Sequence, residues 1–187
     1  MHNPYVVGQR VYLRHPVESD VAGRWHEWMS DEETVRWLGG AHYWPNSVER
    51  QREFYQSTLK ATDRLVLSIV TSDDDRHIGV CSLSAINWVH RYCDVAIIIG
   101  EPEFRSGPYA LDAMSCILRT AFLRLNLLVV RGNYMSDNEG SKKLLELLRF
   151  VETGRIRALY TVDGRPSDAV TVVARQEEWT ARNVRRA

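Results

Sequence analysis

The spacing of apolar residues changes period several times along the chain, and each change marks an element. Val11 to Pro16 (VYLRHP) alternates and carries the side chains of a strand. Ser19-Asp20 then opens a helix with Trp25, Trp28 and Met29 on one side. Ser30-Asp31-Glu32-Glu33 has the spacing of a capping box, Ser followed by Glu three residues on, and predicts a short second helix to about Leu38. Gly39-Gly40 stops it, and Ala41 to Pro45 (AHYWP) reads as an aromatic loop. Asn46 with Glu49 repeats the cap spacing and starts a longer helix through about Lys60.

From Leu65 the period shortens. LVLSIV, the acidic turn Ser72 to Arg76 and HIGVCSL predict a hairpin. Residues 92–100 form another strand, apolar on both faces through VAIII and therefore central. A helix over about Tyr109 to Arg124 places Ala110, Ala113, Met114, Ile117, Ala121 and Phe122 on one stripe. A strand at 127–134, a helix at 138–148 and two strands near 151–161 and 168–175 follow, the last pair joined by Asp163-Gly164, a good hairpin turn. The sum is one mixed α/β (α+β) unit of about six or seven strands, without repeats, low-complexity segments or linkers. Its 187 residues suit a single domain spanning 1–187.

Composition narrows the class. Lys plus Arg and Asp plus Glu balance at 24 each, so the chain lacks the basic surplus of a nucleic-acid binder. Arg182, Arg185 and Arg186 are read as a frayed, solvated end. Cys81, Cys93 and Cys116 are odd in number and form no C-x-x-C pair, which points away from disulfides and zinc and fits a reducing cytoplasm. Asp73-Asp74-Asp75 reads as a solvated hairpin tip and no metal is expected. No apolar leader opens the chain and no run approaches the ~20 residues that span a bilayer, so a cytoplasmic protein is expected, as monomer or homodimer.

The segment Asp94 to Ala113, DVAIIIGEPEFRSGPYALDA, carries the most chemistry. A buried strand runs through a Pro turn and an Arg-Ser-Gly-Pro loop into an amphipathic helix. The first turn of a helix leaves backbone N–H groups unpaired at the positive end of the helix dipole, which suits an anion such as phosphate.

Taken with its surroundings, the chain resembles the GNAT superfamily of acyl-CoA-dependent N-acyltransferases, in particular the branch of ribosomal-protein N-terminal and aminosugar N-acetyltransferases. Four stretches carry the likeness in order: VYLRHPVESD with Arg14 and Asp20, LSAINWVHRYCDVAIIIGEPEFRSGPYALDAM, DNEGSKKLLELLRF, and YTVDGRPSDAVTVVARQEEW. The resemblance implies a GNAT fold, a central mixed sheet flanked by helices whose fourth and fifth strands splay apart around acetyl-CoA. It places the pantetheine arm on the free edge of the fourth strand at Ile98, Ile99 and Gly100, as an added strand would lie. The diphosphate then falls on the loop Arg105, Ser106, Gly107, Tyr109 and Ala110. Pro108 stands where the family's Q/R-x-x-G-x-G/A loop has its central glycine; it donates no N–H, which tunes or weakens the site, although proline sits well at the first helical position.

The same resemblance assigns chemistry. Asp94 aligns with a carboxylate that faces the acceptor and takes the amine's proton, directly or through water; the plainer reading is that it orients an arginine (Arg91) or caps its strand. A backbone N–H near Ile98 would serve the oxyanion. The tyrosine that many relatives use as general acid aligns with Leu145, leaving Ser141, one turn earlier, as the next candidate. Asn138 contacts the pantetheine or simply caps its helix. Tyr43, Trp44, Asn87, His90 and Tyr134 are expected to line the acceptor pocket. The implied activity is transfer of an acetyl group from acetyl-CoA to a primary amine of a small molecule, an aminosugar or biosynthetic intermediate. Two alternatives stand beside it: acetylation of a protein or peptide N-terminus, and a degenerate acyl-CoA-binding module favoured by Pro108 and Leu145.

Overall fold

Eight strands form one sheet in the computed structural model, which describes residues 1–40 and 44–183. They are β1 (Val6–Val7), β2 (Val11–Arg14), β3 (Leu65–Thr71), β4 (His77–Asn87), β5 (Tyr92–Ile99), β6 (Val129–Met135), β7 (Val151–Val162) and β8 (Arg165–Arg175). The order across the sheet is β1-β2-β3-β4-β5-β6-β8-β7. Every neighbouring pair is antiparallel except β5 and β6, so the sheet is mixed as expected. The extra strand beyond the expected count is β1, whose two residues are too few for alternation to reveal.

The helices are α1 (Glu18–Asp20), α2 (His26–Trp28), α3 (Glu32–Val35), α4 (Val48–Leu59), α5 (Pro108–Arg119), α6 (Glu139–Leu147) and α7 (Gln176–Asn183). A π-helical turn, Val21–Trp25, joins α1 to α2, and a second, Thr120–Arg124, extends α5. Helix α7 was not legible, because QEEWTARN has no apolar stripe. Two caps sit one residue later than the spacing predicts. Asp31 rather than Ser30 accepts from the Thr34 amide, and Ser47 rather than Asn46 accepts from that of Arg50. Ser30 instead receives the Asn46 N–H at 3.0 Å and so ties α2 to the start of α4.

Each face of the sheet carries its own hydrophobic cluster, while β7 at the edge stays largely exposed. Ala113, Met114, Ile117 and Phe122 from α5 and its extension are buried against one face with Leu67, Ile69, Leu83 and Cys93. Each such side chain contributes about 1.5–3 kcal/mol on leaving water. On the other face Val21, Trp25, Trp28 and Met29 pack over Val66 and Val80. The side chains of β5 divide accordingly, Val95, Ile97 and Ile99 to the first cluster and Ile98 to the second, which is why VAIII is apolar throughout. All three cysteines are buried and free, and burial pushes the Cys116 thiol up to about 11 and the Cys93 thiol up to about 12.

A buried ionic lock fixes α1 to the sheet. Arg14 grips Asp20 through both nitrogens at 2.6 and 2.7 Å, and Asp20 also accepts from Ser68 at 2.8 Å and the Val17 amide at 3.0 Å. Desolvation pushes the Asp20 carboxyl up, but these donors together with nearby His77 outweigh it and hold its pKa below the usual range. His77, 3.4 Å from the same carboxylate, is held below its ordinary value, chiefly by burial. At the β7–β8 turn Asp163 (φ 49°) and Gly164 (φ 75°) both take the left-handed conformation that a tight hairpin requires.

Candidate active site

The parallel pair β5–β6 is short. Tyr92 opposes Val129, Cys93 opposes Val130, Asp94 opposes Arg131, and pairing ends there. Beyond this fork β5 continues to Ile99 bonded only to β4, while β6 continues to Met135 bonded only to β8. The gap accounts for an oddity of burial: Val95, Ile97, Ile98 and Ile99 are only half-buried and Ala96 is exposed, although the strand is central. Apolar residues in mid-sheet lose water when a neighbour covers them, and here the neighbour has moved away. The free edge of β5 thus keeps unpaired N–H and C=O groups for an extended ligand.

Asp94 and Arg131 clasp the vertex of the fork. The guanidinium meets the carboxylate at 2.7 and 3.1 Å, bidentate, and lies 4.5 Å from the centre of the Tyr92 ring. The hydrogen bond to Asp94 holds the Arg131 pKa above its usual value. Asp94 therefore has an orienting arginine, but it is Arg131 across the fork; Arg91 binds Asn126 instead. A carboxylate has about four lone-pair sites, so two remain open after the bidentate contact.

At its other end β5 enters the loop expected to hold a diphosphate. Gly107 is extended and precedes α5, and Pro108 occupies the first helical position. The amides of Ser106 and Gly107 donate to no backbone carbonyl among the described residues, and those of Tyr109 and Ala110 lie in the orphan first turn. A Cβ at Gly107 would meet nothing nearer than Tyr109 at 3.6 Å, so the approach is open, and the loop suits an anion. Tyr109 itself anchors the loop, edge-on to Phe104 at 4.8 Å.

Arg105 departs from expectation. Its guanidinium turns back to the Ile99 carbonyl at 3.2 Å, the Gly100 carbonyl at 3.1 Å and the Thr34 hydroxyl at 2.7 Å. Its amide bonds the Pro102 carbonyl at 3.2 Å. With those donors spent, Arg105 braces the end of β5 against α3 and shapes the loop from behind. Glu101 acts similarly. Its side chain, 1% exposed, accepts from Arg24 at 2.8 Å, from the Trp28 indole at 3.0 Å and from Arg76. Trp28 lies so close over Gly100 that a Cβ there would overlap the indole.

On the Asp94 face of the sheet lies a cavity of ≈ 460 Å³, within the usual size of small-molecule sites. Its floor is Ser82 and Ser84 of β4 with Ala96 and Ile98 of β5, and its walls include Trp25, Met29, Phe54, Arg50 and Arg64. Ser84 is the β4 partner of Asp94, which places the carboxylate at the inner end of this floor. The cavity and the free strand edge thus share Ala96 and Ile98.

Several expected pocket residues lie elsewhere. Trp44 is 68% exposed and outside the cavity lining, and Tyr43 falls outside the described residues. The Asn87 side chain accepts from the His90 amide at 2.7 Å, closing the β4–β5 turn, and His90 is exposed on that turn, beyond the cavity. Tyr134 is three residues from Arg131 on an unbroken strand and so points to the opposite face, packed against the α5 side; desolvation raises its pKa. The aromatic walls come instead from Trp25 and Phe54. Phe54 and Arg50, one helical turn apart on α4, are the signal that was available in the sequence.

In α6, Asn138 caps the helix, its side-chain oxygen accepting from the Ser141 amide at 2.9 Å, so only its NH₂ group is left for a ligand. Leu145 is buried against Gly132 and the main core. Ser141, one turn before it, is half-buried and its hydroxyl has no hydrogen-bond partner among the described residues. At the acidic turn Asp74 accepts from Thr71 and Asp75 from Tyr12. No group of three or more His, Cys, Asp or Glu suited to a metal occurs among the described residues. No helix among them is long and apolar enough to cross a membrane.

Across the mouth of the fork the β7–β8 hairpin reaches the N-terminal helices. Arg36 pairs with Asp163, and the Tyr160 ring lies against Gly39, where a Cβ would come within 2.9 Å of it. These two contacts tie the hairpin to the N-terminal helices.

Comparison with known proteins agrees with this architecture. The chain is similar to spermidine N(1)-acetyltransferase of Vibrio cholerae, 28% identical over 138 residues, 73% of this chain and 78% of that protein. It is also 23% identical to an uncharacterized prophage-derived N-acetyltransferase of Bacillus subtilis, over 80% of this chain and 82% of that one. Among solved structures, spermidine N-acetyltransferase from Vibrio cholerae in complex with CoA and spermine superimposes with a TM-score of 0.82 at 22% identity, covering 91% of this chain and 98% of that one. A GNAT-family acetyltransferase from Bacillus anthracis gives 0.78 at 14% identity, covering 92% and 98%. The sequence model described as "Acetyltransferase (GNAT) domain" matches residues 10–151, about three quarters of the chain. The strand fork, the loop before α5 and this match together make the chain a member of the GNAT acetyltransferase family, enzymes that transfer an acetyl group from acetyl-CoA to an amine.

Proposed function

We propose that this protein transfers the acetyl group of acetyl-CoA to a primary amine of a small molecule. The observation that carries the reading is the continuity between the free edge of β5 and the floor of the ≈ 460 Å³ cavity, which share Ala96 and Ile98. A thioester extended along that edge would present its carbonyl to an amine in the cavity. Ser106, Gly107, Tyr109 and Ala110 offer amides to the diphosphate, and the edge from Val95 to Ile99 offers them to the pantetheine arm; Gly100, expected to share in this, has its N–H on the Ile78 carbonyl at 2.9 Å and its carbonyl on Arg105 at 3.1 Å.

The chemistry follows from the groups at the fork. Asp94, oriented by Arg131, takes a proton from the ammonium ion through a water on its open lone pairs. The amine nitrogen forms a bond to the thioester carbon, and a backbone N–H of the β5 edge steadies the oxyanion. The C–S bond then breaks as the nitrogen gives up its second proton, which passes to the departing thiolate by way of the Ser141 hydroxyl or water, so that the hydroxyl regains what it donates and the products are a neutral amide and free CoA. A thiolate is a stable leaving group, so Leu145 in place of a tyrosine does not stop the reaction.

The bridge from Arg36 and Gly39 to the β7–β8 hairpin favours a small acceptor over a protein N-terminus, which needs a groove open on both sides. The aminosugar acceptor has no support of its own from the relatives, whose names point to spermidine. Calorimetric titration with acetyl-CoA followed by free-thiol release with a panel of small amines tests the proposal. Saturable binding with amine-dependent thiol release is expected. Binding without turnover across the panel would favour an acyl-CoA-binding module, and turnover only with peptides would favour the protein acetyltransferase.

A further inference from the structure

The charged side chains that line the cavity among the described residues are both cations. Among those residues its lining contains two charged side chains, Arg50 from α4 and Arg64 just before β3, and no carboxylate. Arg50 is one helical turn from Phe54, and the Arg64 guanidinium lies 5.9 Å from the centre of the Phe54 ring. By register Arg64 stands beside Ser84, whose other neighbour is Asp94, so this cation and the carboxylate share one end of the floor.

Neither is neutralised. Arg50 makes one long contact, 3.4 Å to the Pro45 carbonyl, and neither residue forms an ion pair among the described residues. At the inner end Asp94 is matched by Arg131. Glu49 and Glu53 belong to α4 but are exposed and outside the lining. The remaining lining is apolar or neutral, with Ser82, Ser84, Asn46 and Gln51 as its polar members.

A polycation in this space would meet the Arg50 and Arg64 guanidinium groups, while the neighbouring Asp94 carboxylate is already paired with Arg131. We propose that the acceptor is a primary amine that also bears an anionic group, a carboxylate or phosphate, which Arg50 and Arg64 hold on the α4 side of the cavity while the amine points toward Asp94. This rests on the reading of the cavity as the acceptor site. Guanidinium groups bind carboxylate and phosphate through paired N–H donors, and the Phe54 face between them suits the ring or stem joining the two ends. The proposal sets this protein apart from the relatives named for spermidine.

The test uses matched amines: tyramine against tyrosine, glucosamine against its phosphate ester, and spermidine as the polycation. With acetyl-CoA saturating, thiol release is expected to give the anionic member of a pair a kcat/KM at least about tenfold above its neutral partner, with spermidine lowest. The double substitution Arg50→Gln with Arg64→Gln is expected to erase that preference through KM, and Arg64→Glu to shift it toward spermidine. Equal or better use of spermidine by the unaltered protein would overturn the proposal. Calorimetry of the same amines into CoA-loaded protein separates the two readings. Tighter binding of the anionic members without thiol release would uphold the charge selection while removing the catalysis, and binding with no charge preference would overturn the selection.

Discussion

Replacing Gly100 by Ala tests the packing that holds the cofactor loop. The added methyl would overlap the Trp28 indole, which is 2% exposed and cannot retreat into solvent. Overpacking of this kind costs about 1–3 kcal/mol. Moving the indole also stretches its 3.0 Å hydrogen bond to Glu101, a carboxylate with almost no water contact. A hydrogen bond to a charged group contributes about 1.5–3 kcal/mol, of which Arg24 and Arg76 recover a part. The expected loss is about 2–4 kcal/mol, a large share of the 5–15 kcal/mol typical of a domain. Urea titration followed by tryptophan fluorescence reads it directly. Because Gly100 follows directly on the free edge of β5 and Glu101 begins the loop, acetyl-CoA affinity should fall as well. A Trp28→Leu background should absorb part of the Gly100→Ala cost, giving a coupling of at least about 1 kcal/mol in the double-mutant cycle. A loss under about 0.5 kcal/mol with unchanged acetyl-CoA affinity would refute the reasoning.

Three further outcomes can be checked. Asp94→Asn should lower kcat by about a hundredfold or more with acetyl-CoA affinity nearly intact, and should cost less than about 1 kcal/mol of stability because the Asp94–Arg131 pair is partly exposed; unchanged turnover would remove Asp94 from the mechanism. Pro108→Ala adds an N–H at the first position of α5, and calorimetry should show acetyl-CoA binding tightened, by up to about tenfold; no change would place the phosphates away from that position. Stability should fall on acidification in two steps. His77, with its folded pKa depressed below the unfolded value, contributes stability that is present above about pH 6.5 and is lost as pH drops toward the folded value. Asp20, also depressed, contributes stability present above the unfolded carboxylate pKa and lost as pH falls through its folded value. Asp20→Asn should flatten the lower step in urea midpoints taken across pH, and an unaltered profile would remove this lock from the acid response.

Local chemistry made much of the fold legible before any coordinates. Strand and helix periods survive in residues 11–14, 65–71, 92–99 and 108–119 because each of those segments must bury a defined face. The Asp163-Gly164 turn was readable for the same kind of reason, since few residue pairs accept two left-handed conformations in succession. The order of motifs around Asp94 to Ala113 was enough to suggest the family, and the loop at Gly107 opens a helix as its residues imply.

Other features depend on distance across the fold, which no local pattern encodes. Arg105 looked like a phosphate ligand by position, but its donors are taken by Ile99, Gly100 and Thr34, the last 71 residues away in sequence. Trp44 and His90 looked like pocket walls by residue type, yet pocket walls are set by which helix lies over the sheet, and α4 brings Arg50 and Phe54 there instead. Tyr134 was on the right strand and the wrong face, a matter of pleat register fixed by β8. What the order of residues determined by itself was the set of elements and the family's loop, because both depend on contacts within a few residues. What only the tertiary structure decided was where β5 and β6 part, which arginine pairs with Asp94, and which charges line the cavity, because each depends on side chains drawn together from distant parts of the chain.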